Sequence, residues 1–204
     1  MHTTKMMLSM CLLLDINKVT SFATIHRDDH AQCGDITQNE IEHAQIDWGN
    51  AIKGISAVRD GTTDEIVAEA KKHLDDLYAY PDQVSFKPTK AATDPFRPSY
   101  DGALSYFVGA QNGGVYAEDG GFALGPGGAG YSVVTLRDHQ VSIMGKTALA
   151  MGEYFFTTAT GTDAGKVTKV EYTFGYKRAA DCRVVIYLHH SSLPWPCPEG
   201  KECN

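Results

Sequence analysis

The chain has 204 residues, 43% of them hydrophobic and 21% charged, with a formal net charge of −7. That length fits one domain of about 100 to 200 residues with tails. The acidic balance, with no Lys/Arg cluster, excludes a nucleic-acid footprint and a membrane-surface patch, so an anion would need local donors.

In chain order, "MHTTK" carries positive charge, "MMLSMCLLL" is apolar and "VTSFA" offers small residues near a cleavage point. That is the order of a signal or targeting leader over residues 1–23, interrupted by Asp15 and Lys18. The apolar run falls well short of the roughly 20 residues a membrane span needs. Residues 24–36 are polar and aperiodic and read as a linker. A domain over 37–195 follows, then a cysteine-bearing tail over 196–204.

"TQNE" and "TTDE" are capping boxes, Thr37 with Glu40 and Thr62 with Glu65, and each opens a helix. Ile41, Ala44, Trp48, Ile52 and Ile55 form one apolar face; Ile66, Ala70, Leu74 and Leu77 form the second. From there the period becomes two. "VSFKPT", "ALSYFVG", "SVVTLRDHQVSIM", "TALAMGEYFFTTAT", "KVTKVEYTFGYKR" and "RVVIYLHH" read as about six strands, with "GTDAGK" as a hairpin turn. The glycine-rich "EDGGFALGPGGAGYS" lacks a Gly-Lys-Ser/Thr ending and a following helix, so it reads as a flexible surface loop, not a phosphate cradle. Helices followed by strands, without βαβ alternation, indicate an α+β domain: helices packed on a strongly curved antiparallel sheet that forms a cone-shaped pocket.

Of five cysteines, Cys11 falls in the leader. Cys197 and Cys203 bracket a short loop that would close as a disulfide in an oxidising compartment, while Cys33 and Cys182 have no assigned state. No C-x-x-C pair suggests structural zinc.

The last strand ends in "HHSSLP". Strict alternation puts His190 and Ser192 on one face with Ile186 and Leu188, and His189 and Ser191 on the other, toward solvent or a subunit contact. Adjacent histidines on a strand cannot both ligate one metal without a bulge. Tyr172, Phe174 and Tyr176 form an aromatic stripe that is either core or, facing outward, a dimer surface.

"HHSSLP", "YTFGYKR", "FKPTKA" and "GALSYFVG", in this helix-then-sheet order, resemble the iota-class carbonic anhydrases, of the nuclear-transport-factor-2-like fold shared with the calmodulin-dependent kinase association domain. The likeness runs from about Ile41 to Trp195 and departs at Gly120–Gly130 and in the tail. It implies reversible hydration of carbon dioxide to bicarbonate in a small pocket lined by Thr89, Tyr106, His190 and Ser192. Phe107, Ile186 and Leu188 would supply the apolar wall, and His190 would orient a hydroxyl or pass the proton outward. The family includes metal-free and manganese-dependent enzymes; no metal is the favoured expectation, with manganese as the alternative. A homodimer through the outer sheet face is expected, as is a secretory or plastid destination, or the periplasm if bacterial. Each residue also has a plainer role: Tyr106 as a packed ring, Thr89 as a turn cap, Ser192 as a strand end. Two rival functions stay open. One is a non-catalytic oligomerisation module. The other is a ketosteroid-isomerase-like enzyme, which would need Asp119 or Glu153 as a base inside the pocket.

Overall fold

The computed structural model describes residues 33–196. Three helices, α1 (Gln38–Ala57), α2 (Thr63–Leu77) and α3 (Tyr100–Val108), accompany five strands: β1 (Ser85–Lys87), β2 (Tyr131–Met144), β3 (Thr147–Thr158), β4 (Val167–Arg178) and β5 (Val184–Ser192). Both capping boxes form: Thr37 and Thr62 each accept the backbone N–H three residues on, and Glu40 and Glu65 return the bond. Of the two predicted faces, Ile41, Trp48, Ile52, Ile55, Ile66, Ala70 and Leu74 are buried.

The strands form one sheet in the order β1-β5-β4-β3-β2. Four are antiparallel neighbours, and β1 joins β5 in parallel, so the sheet is mixed and five-stranded. The expected sixth strand, "ALSYFVG", is part of α3. A short apolar run does not by itself distinguish strand from buried helix. Its flanks settle the matter: Ser99 accepts the Gly102 N–H as N-cap, and Gly109 stops the helix at φ +82°.

One face of the sheet packs under the helices. Tyr172, Phe174 and Tyr176 all point inward and are buried, so the stripe is core and not a dimer surface. Trp48 of α1 lies in the middle, stacked on Tyr154 at 5.3 Å between centroids and edge-on to Phe174 and Phe156. The glycine-rich segment is also more tightly held than its composition suggests. Ala123 and Leu124 are buried, and the Ser56 hydroxyl donates to the Ala123 carbonyl at 2.5 Å.

The last residues of the segment read as linker are fixed to the domain. Ile36 is buried and its N–H bonds the Gly145 carbonyl, and Cys33 forms a disulfide with Cys182. Arg178 donates to the Gly34 and Asp35 carbonyls and to both oxygens of Glu40, whose carboxyl this contact pulls down to about 2. The leader, the rest of the linker and the Cys197–Cys203 pairing lie outside the described residues.

One irregularity governs the site. Gly175 pairs with Leu188 but Tyr176 pairs with Ile186, so Tyr187 is an extra residue, a β-bulge. A Cβ on Gly175 would come within 2.9 Å of both Leu188 Cβ and the Tyr187 ring. Gly175→Ala should therefore lower stability by about 1–3 kcal/mol through overpacking, read as a lower urea midpoint; an unchanged midpoint would show that the bulge does not need the missing side chain.

Candidate active site

β1 and β5 run in parallel with Phe86 opposite His189 and Lys87 opposite His190. Two residues past the end of β1, Thr89 therefore lies beside the end of β5. Its hydroxyl bonds Ser191 Oγ at 2.8 Å. The Tyr154 hydroxyl, from β3, completes the group and lies beside Ser191 and Thr89. Tyr106, from the inner face of α3, is buried with its hydroxyl against the Lys90 backbone, next to Thr89. Phe86, Phe107 and Phe122 surround it, Phe122 stacked on the Tyr106 ring at 5.3 Å.

Behind these hydroxyls lies His189, 2% exposed, with Phe86 stacked on its ring at 4.7 Å and Phe174 tilted against it at 4.5 Å. Burial, helped by the charge of His190, holds its pKa down at about 3. At neutral pH it is an uncharged imidazole. The partners fix the tautomer. An indole N–H only donates, so Trp48 Nε1 donates to the Tyr78 oxygen at 3.0 Å. The Tyr78 proton then goes to His189 Nδ1, 2.9 Å away. Accepting at Nδ1, neutral His189 carries its proton on Nε2, which faces the Tyr154 oxygen at 3.5 Å. The chain Trp48–Tyr78–His189–Tyr154 thus runs in one direction and ends at the Tyr154 oxygen, beside Ser191 and Thr89.

Burial also raises the phenol pKa of Tyr78, Tyr106 and Tyr154, so all three stay protonated. What results is a neutral group of donors enclosed by aromatic rings. It can orient a small molecule and stabilise oxygens that become negative; it holds no strong base.

Of the residues expected at the site, Tyr106, Phe107 and Ile186 are buried in the core and Thr89 lies against Ser191. His190 and Ser192 face away from them. The bulge at Tyr187 reverses the alternation that relates them to Ile186, so His189 and Ser191 turn inward, 2% and 4% exposed, instead of outward. Leu188 and His190 face the outer side, together lining a shallow cleft with Phe96, and Ser192 donates to Glu171 there. Tyr154, Tyr78 and Trp48 carried no functional assignment. Neither carboxylate weighed as a base is available: Asp119 is engaged by Arg97 and Ser105, and Glu153 sits among Arg137 and Lys169 on the outer face. Among the described residues no three His, Cys, Asp or Glu side chains are grouped to hold a metal.

Helices packed on one face of a five-stranded mixed sheet give the nuclear-transport-factor-2-like fold. A superfamily member from Salmonella enterica matches with a TM-score of 0.50 at 15% identity over 81% of this chain and 96% of its own. The particular family follows from closer likenesses. The model of the metal-independent carbonic anhydrase family matches residues 39–193, and the chain belongs to that family. A metal-independent carbonic anhydrase from Nostoc sp. is 36% identical over 163 residues, 78% of this chain and 75% of that protein. The crystal structure of a cyanobacterial iota-carbonic anhydrase complexed with bicarbonate matches with a TM-score of 0.71 at 35% identity, over 80% of this chain and 95% of that one.

The buried imidazole has a measurable consequence. With a folded pKa near 3, below the 6.5 of the free side chain, the unfolded state binds the proton first as pH falls. The stability that comes from keeping His189 neutral is fully present above pH 6.5 and is lost on acidification toward pH 3, at about 1.4 kcal/mol per pH unit. Nitrogen NMR should show His189 as the neutral Nε2–H form throughout pH 5–9. A titration near pH 6.5 would contradict the assignment.

Proposed function

We propose that this protein hydrates carbon dioxide reversibly to bicarbonate and a proton, without a metal. The observation that carries the reading is the convergence of the Thr89, Ser191 and Tyr154 hydroxyls from three separate segments, with buried Tyr106 of a fourth held against the Lys90 backbone next to Thr89. Family membership supports it, as does the bicarbonate held by the cyanobacterial relative.

The chemistry follows from the donor set. A water oxygen forms a bond to the carbon, and one C=O electron pair moves onto its oxygen, which becomes negative. Hydroxyl donors receive that charge, each hydrogen bond to a charged group being worth roughly 1.5–3 kcal/mol. The water releases one proton, and bicarbonate departs. His189 is too weak a base to take that proton at neutral pH, so its part is to hold Tyr154 in orientation. The aromatic wall of Phe86, Phe107 and Phe122 favours an apolar triatomic gas over bulk water. In reverse the same donors bind bicarbonate and support its dehydration.

Removing a preorganised donor costs about 10²–10³ in rate. Ser191→Ala should lose that much in a stopped-flow pH-indicator assay, while Ser192→Ala stays near wild type. Chelator treatment should leave the wild-type rate unchanged. Activity that vanishes with chelator and returns with manganese would overturn the metal-free mechanism; no activity in either condition would favour a non-catalytic oligomerisation module.

The outer sheet face supports a homodimer on different grounds from the aromatic stripe. Val133 and Met151 are exposed, and Met151 lines a groove of about 860 Å³ there with Arg137, Glu153, Glu171, Thr173 and His190. Sedimentation should return twice the 22.2 kDa chain mass, and Met151→Glu should shift it to monomer; a wild-type monomer would rule the interface out. The Cys33–Cys182 disulfide supports an oxidising destination, the secretory pathway, a plastid or the periplasm, to be decided by fractionation of the tagged full-length chain.

A further inference from the structure

Tyr154 and Ser191 stand on long paired strands, whereas Thr89 sits in the loop that joins β1 to α3. That loop is held by one carboxylate. Glu118 accepts the successive backbone N–H groups of Ala92, Thr93 and Asp94 at 2.8, 2.9 and 2.8 Å. Arg97, fully buried, donates through one nitrogen to Glu118 at 3.2 Å and to Asp119 at 3.1 Å, with its guanidinium 3.7 Å from the Tyr116 ring centroid. The Arg97 N–H bonds the Phe86 carbonyl at 2.8 Å and returns the loop to β1. Asp119 accepts in turn from Ser105, at 2.6 Å, and Ser105 immediately precedes Tyr106.

We propose that Glu118 is a positioning residue for carbon dioxide hydration: by gathering the N–H groups of residues 92–94 it sets the loop so that the Thr89 hydroxyl meets Ser191. The inference rests on the reading of the hydroxyl group as the hydration site. Three consecutive N–H groups converging on one point make a concave anion cradle, and a carboxylate fills it better than a neutral amide. Those N–H groups, Asp94 first, hold the Glu118 carboxyl down at about 2, so it keeps its charge across the working pH range. A loop released by even one ångström would move a reacting donor out of register, and such a shift can cost about 10²-fold in rate.

A clamp that merely stabilised the fold would lower the melting temperature and leave the folded enzyme's kcat alone. A double-mutant cycle separates the two roles. Glu118→Gln should reduce kcat about 10- to 100-fold. On a Thr89→Ala background it should cost no more than about twofold, because the group it positions is already gone. Arg178→Lys, which weakens the opposite end of the domain, should lower the melting temperature and keep kcat. Wild-type kcat in Glu118→Gln, or an equal loss on both backgrounds, would overturn the proposal. If Glu118→Gln does not fold, Glu118→Asp takes its place: a folded variant with unchanged kcat overturns the proposal, and a reduced kcat that depends on Thr89 supports it. An inactive wild type would instead remove the hydration reading beneath it, a result distinct from either.

Discussion

Between Gly175 and Tyr176 the ladder of β4 and β5 takes in one extra residue, Tyr187, and every side chain beyond it changes face. Side chains alternate with period two, so a one-residue insertion sends the remainder of the strand to the other side of the sheet. In this protein that choice is chemical. Without the bulge, the inner face would carry Leu188 and His190, and the aromatic core would have no partner for Tyr78 and Tyr154. With it, His189 is set among Trp48, Phe86 and Phe174, and Ser191 is set against Thr89. Gly175 opposite makes the bulge sterically feasible, and the parallel pairing of β1 carries Thr89 to the same level.

Placing so many polar atoms beneath aromatic rings is costly unless each finds a partner, since an unpaired buried donor or acceptor costs about 1–3 kcal/mol. The solution here is serial. Each hydroxyl or ring nitrogen passes its demand to the next, from the Trp48 indole through Tyr78 and His189 to Tyr154. The donor-only indole gives the chain its direction, and the far end is where a substrate would complete it. This satisfies the Trp48, Tyr78 and His189 groups and fixes the donors together. It also accounts for a neutral site: protonating His189 would put an uncompensated charge in the core, and the hydroxyls would face a cation where the reaction needs orientable protons.

The helices and most strands were legible because their signals are local. Both capping boxes, the Trp48 face and the alternation of Val170, Tyr172, Phe174 and Tyr176 follow from spacing within a dozen residues. The helix α3 was missed because nine residues with a strongly apolar face look like a buried strand; Ser99 and Gly109 mark its ends. Thr89 and Tyr106 were found through their motifs, and the family through the order of those motifs. Ser191 and His189 were put on the wrong face because strict alternation was assumed across Tyr187. A glycine inside a strand signals a bulge or a close approach, and Gly175 within "YTFGYKR" is that signal. Tyr154 depends on a pairing across three strands, which no local pattern encodes.

Stabilising a developing negative oxygen with neutral donors is efficient only if those donors do not have to move to do it. Two of the hydroxyls come from paired strands, Tyr154 on β3 with a neighbour on each side and Ser191 on β5 opposite Tyr172 of β4. The other two come from a loop and a nine-residue helix, and these are held by the charged anchors Arg97, Glu118 and Asp119. Rigidity is thus supplied twice, by the ladder where there is one and by ion pairs and backbone donors where there is not. At the opposite end of the sheet, Arg178 and the Cys33–Cys182 bond tie the chain entering α1 to β4 and to the turn before β5. That leaves α1, which carries Trp48, fixed against the strand that carries His189.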